Sequence, residues 1–208
     1  AIQNYQFKDQ IKFNEMELQS QISEDNAETE LLQQVLLKLM KLTIEAGCDL
    51  VAQNSLSNGK YVIEASFKPA RRRHENPQIF LPTRGIKFTL SGINYTQTLR
   101  ETFNITDLHN VLDGIIQNSN NKDLVKLIIL LSHEYGHFKS YRLGYHDNDL
   151  KIGLGLLHGS SGVADHYAYQ VFSEEATAWR FGIEALQKTN FNYWDAFDLA
   201  KYSSMTAY

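Results

Sequence analysis

The chain has 208 residues, a formal net charge of −4 and a pI near 6.0, so overall charge gives no attraction for nucleic acid or an anionic lipid surface. With 43% hydrophobic and 21% charged residues, the composition is that of a globular domain with a core and not of a disordered chain. The single cysteine, Cys48, excludes an internal disulfide and a thiolate metal cluster, and no apolar run reaches the length of a membrane span.

The first residues, Ala1-Ile2-Gln3-Asn4-Tyr5, lack the basic start and apolar middle of a signal peptide. With no disulfide partner for Cys48, this points to a cytoplasmic setting; the alternative is a secreted effector. Residues 1–27 are polar and weakly patterned, and read as an N-terminal arm or helix ahead of a single domain over 28–208. Leu31, Leu32, Val35, Leu36, Leu39 and Leu42 recur at helical spacing and predict a helix over 28–45, with Gly47 as its stop.

A strand-rich middle follows. Lys60 to Phe67 is β-prone behind the turn signal Ser57-Asn58-Gly59. Gln78-Ile79-Phe80-Leu81 is a short strand between prolines, and Ile86 to Leu90 alternates as a half-buried strand does. Arg71-Arg72-Arg73-His74 reads as a solvated loop, or alternatively as a contact for an acidic substrate or partner.

From Thr106, a candidate cap, the chain turns helical, with Leu108, Val111, Leu112 and Ile115 on one face. A second helix is expected from about Lys122 to Tyr141, then a glycine-rich irregular stretch over 143–165, a helix from about Asp165 to Gln187, and a last one from about Tyr193 to Tyr202. The fold class is α+β: a small sheet from the middle of the chain with helices packed on it.

The chemistry lies in His133-Glu134-Tyr135-Gly136-His137. Histidines four apart on a helix project from one side, about one turn apart, which suits two nitrogens on one ion. Glu134 is rotated away from ligation, in the position of a base that takes a proton from an activated water. Gly136 leaves room for another segment to approach closely. Alone, the motif has a bland reading: two surface histidines beside a salt-bridging glutamate.

A zinc site of this kind needs a third protein ligand. Glu175 has Val171, Phe172, Ala178 and Trp179 three and four residues away, so it projects from an apolar face. A buried carboxylate needs a partner. The choices are a metal shared with His133 and His137, or an ion pair with Arg180 or Arg142. Glu174, with Gln170 and Thr177 as neighbours, is expected to be more exposed.

Two histidines in this motif with a glutamate on a later helix resemble the gluzincin pattern. More narrowly, Leu131-Ser132-His133-Glu134-Tyr135-Gly136-His137-Phe138 and Glu175-Ala176-Thr177-Ala178-Trp179-Arg180-Phe181-Gly182 resemble ImmA/IrrE-type metallopeptidases over about residues 121–187. The resemblance implies Zn2+ held by His133, His137 and Glu175, Glu134 as general base, and hydrolysis of a protein or peptide substrate. Two positions depart from the pattern. Trp179 stands where a polar residue usually supports the metal shell, and Gly182 where alanine is common.

Peptide hydrolysis also needs a donor for the developing oxyanion. His146, His158, His166, Tyr167 and Tyr169 are candidates, with His166 and Tyr167 preferred because they precede Glu175 on its helix; Asp165 is a candidate cap or an orienter of a ligand histidine. The glycine-rich stretch lacks the features of a phosphate-binding loop and reads as a cleft-side lid or an ordinary connection. Two other functions fit the same residues: a zinc-stabilised regulatory or binding protein with little catalysis, and a secreted toxin or effector protease.

Overall fold

The computed structural model describes residues 7–8, 11–52, 55–57, 60–62, 65–70, 72–82, 88–90, 93–95, 101–103, 108–117, 119–144 and 164–206. The fold is mixed α+β, with the helices packed against a small sheet.

Among the described residues the helices are α1 (Glu15–Gln21), α2 (Asn26–Glu45), α3 (Leu108–Gln117), α4 (Asn121–Arg142), α5 (Ala164–Gln187) and α6 (Trp194–Met205). The strands are β1 (Phe7–Lys8), β2 (Asp49–Ala52), β3 (Ser55–Ser57), β4 (Lys60–Val62), β5 (Ser66–Lys68), β6 (Gln78–Leu81), β7 (Phe88–Leu90), β8 (Ile93–Tyr95) and β9 (Glu101–Phe103).

Helix α2 starts at its cap, Asp25, whose side chain accepts from the Glu28 amide at 2.8 Å. It buries Leu32, Val35, Leu36, Leu39 and Met40 along one stripe. It ends in a Schellman motif: the Gly47 amide donates to the Ile44 carbonyl at 3.0 Å and the Cys48 amide to that of Thr43 at 3.2 Å, with Gly47 at φ +95°.

The main sheet has the order β1-β5-β6-β2-β9. β2 runs parallel to β6, with Leu50 opposite Ile79, while the other pairings are antiparallel. The strand expected over Lys60–Phe67 is two elements. β4 pairs antiparallel with β3, Leu56 opposite Tyr61, while β5 pairs with β6 in the main sheet; the expected turn residues Asn58 and Gly59 lie outside the described residues. Likewise β7, within the strand expected over Ile86–Leu90, pairs with β8 apart from the main sheet. The expected cap Thr106 and the stretch 145–163 lie outside the described residues.

Helix α4 is the axis of the molecule. It packs on α2, on α5 and on strands β5 and β6, so it is buried nearly all round. Its apolar residues Leu124, Val125, Ile128, Ile129 and Leu131 are fully covered. The polar residues caught in that burial are Asn121, Asp123, Lys126, Ser132, His133, Glu134, His137 and Ser140. Buried polar groups require partners, and these partners organise the rest of the structure.

At the start of α4, Asn120 caps the Asp123 amide at 2.9 Å. Glu24 accepts from the Asn121 amide at 2.7 Å and the Lys122 amide at 3.3 Å. Asn121 in turn donates to the carbonyls of Ser23 and Asp25 and accepts from Thr29. One turn on, Lys126 pairs with Glu15 of α1. The segment around α1, with Leu18 and Ile22 buried, is thereby fastened to the metal-motif helix.

Candidate metal centre

His133 and His137 lie on the middle of α4, and Glu175 on α5 opposite them. The two helices meet closely because glycine allows it on both sides. A Cβ added to Gly136 would stand 1.9 Å from the Ala178 carbonyl oxygen, and one added to Gly182 would stand 2.8 Å from that of Ser132. The room expected at Gly136 is therefore filled by the backbone of the Glu175 helix.

This contact brings the three predicted ligands together. Glu175 Oε2 is 2.9 Å from His133 Nε2, and Glu175 Oε1 is 3.2 Å from His137 Nε2. One ligand atom from each residue falls within 4.8 Å of the others, a group that could hold a metal ion. Tetrahedral zinc with bonds of about 2.0–2.1 Å sets neighbouring ligand atoms about 3.3 Å apart, so the carboxylate-to-imidazole spacings are near those an ion requires. The donor set, two imidazoles and one carboxylate, is that of three-ligand catalytic zinc sites. The residues present fit a metal ion.

Burial in the site is nearly complete. His133, Glu134 and His137 are 0% exposed and Glu175 is 1% exposed. The alternative partners for Glu175 are engaged elsewhere: Arg142 donates to the Ala46 carbonyl at 2.7 Å, and the exposed Arg180 lies 5.0 Å over the Phe181 ring.

The rings of the two histidines are held by aromatic neighbours. Trp179, fully buried, lies 4.1 Å from His133 between ring centroids, and its indole Nε1 donates to Ser204 Oγ at 3.3 Å. Phe67 of β5 stacks on His137 with centroids 6.5 Å apart and planes 11° from parallel. The sheet thus supports one histidine and the C-terminal helices the other. Beneath the site, burial pushes the Cys48 thiol well up, helped by the negative charges of Asp49 and Glu134 and opposed by Arg142. Burial likewise raises the Tyr135 phenol.

Glu174 departs from expectation. It is 5% exposed, with Oε1 3.1 Å from His137 Nδ1 and Oε2 accepting from Ser140 Oγ at 2.8 Å. Its polar neighbours on its own helix suggested solvent. Val171 and Ala178, three residues before and four after, are buried and were the better guide. Ser140, one turn past His137, was also missed.

The side chains of Asp165, His166 and Tyr167 lie outside the described residues, as do His146 and His158, although α5 includes positions 165–167. Tyr169 is 73% exposed. Arg72, Arg73 and His74 lie on an exposed turn, as expected of a solvated loop. Among the described residues no helix is long and apolar enough to cross a membrane. No family model matches the chain, and no curated protein or solved structure is significantly similar to it.

Proposed function

We propose that the chain is a zinc metallopeptidase that hydrolyses peptide bonds in a protein or peptide substrate. The observation that carries this reading is the convergence of His133, His137 and Glu175 on one point, with Glu134 next in sequence to a ligand. Zinc bound there supplies a Lewis acid that polarises a carbonyl and makes water acidic enough to be deprotonated near neutral pH.

The chain's own residues supply the rest. Glu134 is rotated about 100° round the helix from His133, so it stands beside the ligands without being one of them. As general base it takes the proton of the attacking water, and as general acid it hands that proton to the leaving amine. Burial serves this role, because a carboxylate removed from water is a stronger base toward a nearby proton donor. Trp179 and Phe67 keep the imidazoles from swinging away.

A second reading, a zinc-stabilised binding protein, draws on the near-complete enclosure of the four polar side chains. Against it, purely structural zinc sites take four protein ligands, whereas the cluster formed among the described residues has three.

The deciding experiment compares wild type with Glu134→Gln on a peptide library, with zinc content measured for both. The peptidase reading expects equal zinc and a loss of cleavage of about 10²-fold or more in the variant. Zinc in both proteins and cleavage in neither would favour the binding protein. Equal cleavage by both would remove Glu134 from the role of base.

A further inference from the structure

Helical residues one apart point about 100° from each other, so Glu174 and Glu175 cannot serve the same atom. Both nevertheless turn toward His137. Glu175 Oε1 faces its Nε2 at 3.2 Å, while Glu174 Oε1 faces its Nδ1 at 3.1 Å. The imidazole is gripped at both nitrogens by successive residues of one helix. The second oxygen of Glu174 is fixed by Ser140 Oγ at 2.8 Å, and Ser140 lies one turn beyond His137 on the same helix.

A histidine that gives Nε2 to a metal must be neutral and carry its proton on Nδ1. A carboxylate at Nδ1 accepts that proton in a hydrogen bond, fixes the tautomer and the ring angle, and makes Nε2 a better donor. We propose that Glu174 is a positioning residue for the metal centre: it orients and activates His137, and Ser140 aims its carboxylate. Ser140 is fully buried and Glu174 is 5% exposed, so the carboxyl is satisfied by protein partners and not by water.

At the other histidine, His133, the neighbour from the same helix is the buried Trp179 indole, which packs on the ring and gives its N–H to Ser204.

The inference rests on the reading that the triad binds metal, and the experiment separates the two. Zinc affinity is measured by chelator competition for wild type, Glu174→Gln and Ser140→Ala, with the thermal midpoint of each metal-free protein recorded alongside. Glu174→Gln keeps the shape and removes the charge. It is expected to weaken zinc binding about 10- to 100-fold, with the metal-free midpoint little changed. Ser140→Ala is expected to weaken it less, by up to about 10-fold. A wild type that takes up no zinc overturns the metal reading and this one with it. A wild type that binds zinc beside a folded Glu174→Gln of equal affinity overturns this one alone. If Glu174→Gln does not fold, Ser140→Ala decides, and an unchanged affinity there overturns the proposal.

Discussion

The backbone of Ala178 occupies the space that a side chain on Gly136 would need: an added Cβ would lie 1.9 Å from its carbonyl oxygen. Gly136 sits one residue before His137, and Ala178 three residues after Glu175, so the distance between their helices sets the spacing of the candidate ligands. Gly136→Ala is expected to force α4 and α5 apart, costing about 3 kcal/mol or more at the upper end of overpacking effects, and to abolish stoichiometric zinc binding. Gly182→Ala meets its obstacle at 2.8 Å and should be the milder of the two. Thermal midpoints and bound zinc, measured on both variants, check the order.

Metal should stabilise the fold itself. The candidate ligands come from two helices, so an ion that bridges them favours the folded chain. At a free zinc concentration about 1,000 times the Kd the gain is about 4 kcal/mol. Chelator-treated protein should therefore show a lower thermal midpoint that zinc restores. His137→Ala should show the lower midpoint and no response to zinc.

Trp179 is among the largest fully buried side chains, packed edge-on against Phe197 at 5.2 Å as well as over His133. Trp179→Ala is expected to cost about 3–5 kcal/mol through the cavity it leaves. Ser204→Ala removes only the acceptor for the indole N–H and should cost about 1–2 kcal/mol. Denaturant unfolding of the two variants measures the gap.

The carboxyl of Asp25 is held below its ordinary value, chiefly by the Glu28 amide that it caps and then by Ser23. A carboxylate with a lowered folded-state pKa contributes stability that is fully present above its unfolded value, about 3.9, and is lost as pH falls through the lower folded value. Asp25→Asn keeps the cap without the charge. The stability difference between wild type and this variant should hold steady above about pH 5 and shrink in more acid solution. Urea unfolding at a series of pH values between these limits shows whether it does.

The candidate ligands were legible because each leaves a local trace. His133 and His137 are four apart, and Val171, Ala178 and Trp179 around Glu175 are buried as the apolar spacing implied, though Phe172 is 42% exposed. Around Glu174 the polar Gln170 and Thr177 point to exposure and the buried Val171 and Ala178 to burial, and neither pair says which partners α4 presents to it. That face carries Ser140 and His137, and only the packing of the two helices reveals it. Strand β2 went unseen for a related reason. Four residues with Leu50 and Val51 both buried show no alternation, and their place inside the sheet is set by pairing with β6 and β9, which are remote in sequence.

The attachment of Glu24 and Ser23 to the first turn of α4 bears on how this chain can be cut. Residues 23–25 look like the seam between a polar leader and the domain proper, yet they cover the backbone amides and the Asn121 side chain where the metal-motif helix begins. A fragment trimmed to residue 28, the natural choice for a crystallographer wanting a shorter protein, would open the N-terminus of that helix to water. Nor is a cut just before Glu15 safe: Glu15 pairs with Lys126, but upstream of it Lys12 exchanges hydrogen bonds with Ser203 and β1 pairs with β5 in the main sheet, so trimming that spares these ties stops before Phe7.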